Sequence, residues 1–138
     1  TFGPGRRIWD MADDDKSNKI VVAEDDPAIV ELLSDELRMQ GFQPLVLRRG
    51  GNVVKIVKDE KPAVVVLDLA LPDKDGTQIL KELKDDWDAK KVPVIIISAY
   101  TGRLDHTGRS NAEAVFPKPF DLDQLMASVR AAANKPED

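Results

Sequence analysis

The sequence predicts an α/β fold: a doubly wound, five-stranded parallel sheet with helices on both faces. Three observations predict it. Short β-branched apolar runs alternate with segments whose apolar residues recur at helical spacing. Two of the runs, residues 63–67 (AVVVL) and 93–97 (PVIII), lack inward–outward alternation, so both faces are covered, as in central parallel strands. Five strand–helix units fit into 138 residues, the size of one domain around one core.

The elements follow in order. Residues 19–23 form a buried strand, and residues 27–40 a helix with Ile29, Val30, Leu33 and Leu37 on one face, stopped by Gly41. Residues 44–48 are the second strand. Residues 52–60 are a short helix with Val53, Ile56 and Val57 inward. The third strand, 63–67, precedes a helix over 75–87 carrying Ile79, Leu80 and Leu83. The fourth strand, 93–97, is followed by residues 101–111, which hold Gly102 and Gly108 and almost no apolar period. The fourth helix is therefore expected to be short or irregular. Residues 114–116 are the last strand and 121–133 the last helix, capped by Asp121. Right-handed crossovers and a five-stranded count select the flavodoxin-like order 2-1-3-4-5.

Composition narrows the function. Apolar residues make up 42 % of the chain, too many for a disordered protein. The net charge of -5 does not invite nucleic acid or an anionic membrane. The absence of cysteine excludes disulfides, zinc thiolates and thiol nucleophiles. No apolar run approaches a membrane span and no leader pattern is present, so a cytoplasmic protein is expected. Residues 1–18 differ in character and are read as an N-terminal extension or remnant, with Ile8 and Trp9 as the alternative docking arm; 19–134 is the domain and 135–138 a tail.

In parallel α/β sheets, ligands sit beyond the carboxyl ends of the strands. There the first strand delivers Glu24, Asp25 and Asp26, the third Asp68, the fourth Ser98, and the fifth is followed by Lys118. Clustered carboxylates repel one another unless a cation joins them, and Mg²⁺ prefers such oxygen ligands. A carboxylate can attack phosphorus, and Mg²⁺, an ammonium and a hydroxyl can each neutralise one phosphoryl oxygen. Asp26 is assigned to capping the helix at Pro27, leaving Glu24 and Asp25 for metal. His106, the single histidine, lies in the irregular segment and is read as a surface residue.

KIVVAEDDPAI, VVVLDLALPDKDG, VPVIIISA and FPKPF, in this order, resemble the receiver domain of two-component response regulators, the CheY-like family. The resemblance implies Asp68 as phosphoacceptor, Glu24 and Asp25 around Mg²⁺, the Ala70 carbonyl as a further metal ligand, Ser98 as switch hydroxyl and Lys118 as phosphoryl partner. It also implies a cis Lys118–Pro119 bond, which costs little before proline. The expected function is a phosphoacceptor switch, not an enzyme beyond assisting its own phosphorylation and slow dephosphorylation. A histidine kinase or phosphotransfer protein would be the donor, a protein the downstream target, and the chain a monomer or weak dimer, with no nucleic-acid or membrane partner. Two features depart from the family: Val115 stands where an aromatic residue is usual, with Phe116 turned to the other face, and the 101–111 segment is irregular. They favour an alternative, an unphosphorylated interaction module. A phosphohydrolase reading is opposed by Ala70, where that class carries a second Asp. Tyr100 is expected to cover part of the site.

Overall fold

The computed structural model describes residues 17–135; the Ile8/Trp9 arm, most of the N-terminal extension and the end of the tail lie outside them. The strands are β1 (Lys19–Ala23), β2 (Gln43–Leu47), β3 (Val64–Asp68), β4 (Val94–Ser98) and β5 (Ala114–Pro117). The helices are α1 (Pro27–Met39), α2 (Val53–Glu60), α3 (Gly76–Asp85), α4 (His106–Asn111) and α5 (Leu122–Ala133). All neighbouring strands pair in parallel in the order β2-β1-β3-β4-β5. The fold is the one expected.

Helix boundaries have local causes. Asp26, Asp75 and Asp121 cap α1, α3 and α5, each accepting a backbone N–H just inside the helix, which satisfies a donor that the helix leaves unpaired. Gly41, at φ +90°, lets the chain turn after α1. The third helix is shorter than expected. It ends at Asp85 because the Asp86 carboxylate accepts from the N–H groups of Asp88 and Ala89 and starts a 3₁₀ turn, Ala89–Lys91.

The sheet buries two apolar layers. On one face Ile20, Val22, Val64, Val66, Ile95 and Ile97 meet Leu33 and Leu37 of α1 and Leu125, Met126 and Val129 of α5. On the other, Val21, Val65, Leu67, Val94 and Ile96 meet Val53 and Val57 of α2 and Ile79, Leu80 and Leu83 of α3. Every residue of β3 and β4 is buried. Truncating one such side chain to alanine costs about 2–5 kcal/mol, so the layers hold the sheet edge rigidly.

The fourth crossover is as weak as its sequence. A 3₁₀ turn, Thr101–Arg103, precedes a six-residue α4 that buries none of its residues. Leu104, between them, is the anchor: it is buried in the α2/α3 layer. Val115 packs on that same layer and Phe116 on the opposite one, as alternation required.

Candidate functional site

The carboxyl edge of the sheet gathers the expected residues. From β1 the chain runs outward to the edge strand β2 and then returns to β3 on the other side of β1. Glu24 therefore follows β1 directly beside Asp68, the last residue of β3. Both are buried, at 0 % and 2 % exposure, in contrast to Asp25, which is exposed. Carboxylate oxygens of Glu24, Asp25 and Asp68 all lie within 4.8 Å of one another.

Each carboxylate is aimed by the backbone. Glu24 Oε2 accepts from the N–H groups of Asp25 (2.9 Å) and Asp26 (3.1 Å). Its Oε1 is buried and paired with the Lys118 ammonium, 2.6 Å away. Asp68 Oδ1 accepts from the Ala70 N–H at 3.1 Å, and Lys118 Nζ donates to Asp68 Oδ2 at 3.2 Å. Lys118 thus serves two carboxylates. Its own position is fixed by β5 pairing, by a 2.8 Å bond from its N–H to the Ser98 carbonyl, and by a cis bond to Pro119, as the resemblance implied.

The electrostatics follow from this geometry. Burial pushes the Glu24 carboxyl above its ordinary value; Lys118 opposes that and the Asp68 carboxylate reinforces it. Burial works to lower the Lys118 ammonium, but Glu24 and Asp68 outweigh it and hold it above the usual lysine value. Three carboxylates thus face one ammonium in a partly desolvated pocket, leaving a local negative excess.

These residues fit a hard dication. The set is all oxygen, two of its carboxylates are buried against a single ammonium, and exposed Asp25 leaves a side open to water. Octahedral ligands about 2.1 Å from Mg²⁺ stand at most about 4.2 Å apart, so the cluster needs only slight closure, or one water-mediated contact. Ala70 lies two residues beyond Asp68, exposed at the start of the loop after β3.

Ser98 ends β4 beside Pro117 and is 1 % exposed. Its Oγ accepts from the Tyr100 N–H at 3.0 Å. Tyr100 is 68 % exposed, and its ring lies beside Gly102, where a Cβ would come within 2.8 Å of it. His106 is exposed at the start of α4, as expected.

Two side chains that shape the site were not foreseen. Asp73 accepts from the N–H groups of Gly50 (2.7 Å) and Gly51 (3.0 Å), tying the loop after β2 to the loop after β3. Asp75 pairs with Arg103 at 3.1 Å in addition to capping α3. The turn residues of PDKDG signal a loop, but nothing in the sequence marks those distant partners.

A family model described as the response regulator receiver domain matches residues 20–130. The chain belongs to this family. Receiver domains are signalling modules of two-component systems. The DNA-binding response regulator MtrA of Mycolicibacterium smegmatis is 33 % identical over 127 residues, covering 91 % of this chain and 54 % of that protein. The chain therefore spans about half the length of this curated relative. The BeF3-activated N-terminal receiver domain of Klebsiella pneumoniae RstA is 27 % identical, with a TM-score of 0.74 over 85 % of this chain and 99 % of that one. Thermotoga maritima TrrA, in complex with Mg²⁺ and BeF, is 25 % identical, with a TM-score of 0.74 over 83 % and 97 %. The expectation that no nucleic acid is involved gains no support here, since MtrA is itself named a DNA-binding protein. No helix among the described residues is long and apolar enough to cross a membrane.

Proposed function

We propose that residues 19–134 act as a phosphoacceptor switch, with Asp68 phosphorylated in a Mg²⁺-assisted transfer. One observation carries this reading: Asp68 Oδ2 stands 3.2 Å from the Lys118 ammonium, and the Asp68 carboxylate lies within 4.8 Å of those of Glu24 and Asp25. The nucleophile, the counter-charge and the acids that would hold the metal meet at one point, buried on the Glu24 and Asp68 side and open at Asp25.

Mg²⁺, held by Glu24, Asp25, Asp68 and the Ala70 carbonyl, would supply charge neutralisation at the phosphoryl group. The chain's own residues do the rest. The Ala70 N–H holds Asp68 through Oδ1 and leaves Oδ2 to attack phosphorus. A phosphorus–oxygen bond to Asp68 forms as the bond to the leaving group breaks, and the leaving group keeps the electron pair. Lys118, freed from Oδ2 as that atom is esterified, keeps its charge within reach of the new phosphoryl oxygens. Ser98, at the end of the next strand, offers its hydroxyl to another.

The donor is a histidine kinase or phosphotransfer protein, in line with membership of a two-component family. The output is a protein contact, or an activity of the kind for which the DNA-binding relative is named. A cytoplasmic setting follows from this role. An unphosphorylated interaction module is the second reading, favoured by a six-residue α4 with no buried residue and by Val115 in place of an aromatic residue.

Incubation with Mg²⁺ and a small-molecule phosphodonor separates the two. An acid-stable, base-labile adduct on wild type that is absent from Asp68→Asn supports the switch. No adduct on wild type supports the interaction module.

A further inference from the structure

The departure at Val115 raises the question of what couples Asp68 to the rest of the fold. The 101–103 turn offers an answer. Ser98 Oγ is bonded to the Tyr100 N–H, and Tyr100 opens the Thr101–Arg103 turn. The turn is closed by Arg103 N–H to the Tyr100 carbonyl and Leu104 N–H to the Thr101 carbonyl. The Tyr100 ring lies beside Gly102 and packs on the turn it opens. Arg103 then reaches across to Asp75, 3.1 Å away.

Asp75 belongs to the other side of the site. Its Oδ1 accepts from the N–H and hydroxyl of Thr77 and so caps α3. The next residue, Gly76, is pressed against the Asp68 carbonyl, and its N–H donates to the Leu69 carbonyl. A short chain of contacts thus joins Ser98, through Tyr100 and Arg103, to Asp75 and back to the backbone of Asp68.

We infer that Arg103 is a positioning residue that acts through Ser98: its ion pair with Asp75 latches the β4–α4 segment in the arrangement where Ser98 Oγ is held by Tyr100 N–H. This rests on the proposed phosphoacceptor role. When the Ser98 hydroxyl turns to a phosphoryl oxygen it gives up the Tyr100 bond, the turn shifts, and the latch opens. The latch therefore favours the unphosphorylated form, and anything that binds like a phosphoryl group must work against it. Both partners are about half-exposed or less (34 % and 47 % of the side chains), so the opposition is modest, and salt weakens it.

The test is beryllofluoride affinity in excess Mg²⁺, measured by calorimetry on the whole chain. Arg103→Ala and Asp75→Asn, which keeps a capping oxygen, are each expected to tighten binding about two- to fivefold. The double variant should bind no tighter than the better single one, because both remove one interaction. Arg103→Lys should restore most of the wild-type affinity. The amide resonance of Tyr100 should shift in Arg103→Ala towards its beryllofluoride-bound position before any ligand is added. A purely structural role would lower the unfolding midpoint while leaving affinity and the Tyr100 resonance unmoved, and that result overturns the latch. Wild type that binds no beryllofluoride overturns the parent reading instead.

Discussion

Gly76 is where the fold and the site constrain each other most directly. A Cβ placed there would lie 2.5 Å from Leu69 Cα, 2.7 Å from the Asp68 carbonyl oxygen and 3.1 Å from Leu69 C. All three are backbone atoms of the strand end that carries Asp68. No rotamer change can relieve the overlap, so either α3 or the Asp68 strand end must retreat. Gly108 is the control. Its Cβ would meet Leu104 Cδ2 at 3.0 Å, the far end of a side chain that can turn. Neither glycine has a positive φ, so alanine brings no backbone strain. Alanine gains about 0.4–1 kcal/mol at a compatible site through the unfolded chain. Overpacking in a tight region costs about 1–3 kcal/mol. For Gly76→Ala the clash wins, with a net loss of about 1–2 kcal/mol. For Gly108→Ala the two terms nearly cancel or favour alanine. Urea unfolding at neutral pH measures both variants, and the Mg²⁺-dependent beryllofluoride affinity should fall for Gly76→Ala alone. A Gly76→Ala protein as stable as Gly108→Ala, with unchanged affinity, would refute the close-approach argument.

Further outcomes follow from the same geometry. Lys118→Met keeps the apolar stem but leaves the buried Glu24 and Asp68 carboxylates facing each other without a counter-charge. It should destabilise the metal-free protein by about 3 kcal/mol or more, and Mg²⁺ should recover part of that; urea midpoints with and without Mg²⁺ check it, and an unchanged midpoint would contradict it. Ser34 lies 4 % exposed on α1 with an Oγ that accepts and donates no hydrogen bond. Ser34→Ala should therefore be neutral or stabilising by up to about 1 kcal/mol, and a clear loss in the unfolding midpoint would show a partner for that hydroxyl. The Asp73 and Asp75 carboxyls are held below the usual value, Asp73 first by the Gly50 N–H and Asp75 first by the Thr77 N–H. Their contribution is complete above pH 3.8 and is lost as pH falls through their lower folded values. The Asp73→Asn/Asp75→Asn double variant should lose stability less steeply below pH 3.8, as read from acid titrations of ellipticity; an identical acid slope would contradict this.

The sequence carried the sheet order and the site because both are written in local patterns. Runs such as VVVL and VIII announce doubly covered strands, and the residues that end them necessarily share one edge. The ends of β3 and β4 lie one residue beyond the expected runs for a simple reason. The hydrogen-bond ladder runs on through Asp68 and Ser98, polar residues at which apolar counting stops. Trp87 looked like part of the third helix, but the Asp86 carboxylate accepts from the N–H groups of Asp88 and Ala89 and breaks it. Long-range side-chain pairs were illegible altogether. Nothing in the order of residues says that Asp73 holds Gly50 and Gly51, that Arg103 reaches Asp75, or that the Tyr100 ring settles beside Gly102. Those pairings depend on how loops from different strands meet, which only the folded chain determines.

The central claim is that Asp68 accepts a phosphoryl group. Its most direct test is peptide mapping after reaction with Mg²⁺ and a small phosphodonor, with the acyl phosphate trapped by borohydride reduction. The account predicts modification at Asp68, lost when Mg²⁺ is chelated and absent from Asp68→Asn. Modification at Glu24, Asp25 or another residue with Asp68 untouched, or no Mg²⁺-dependent modification at all, would contradict it.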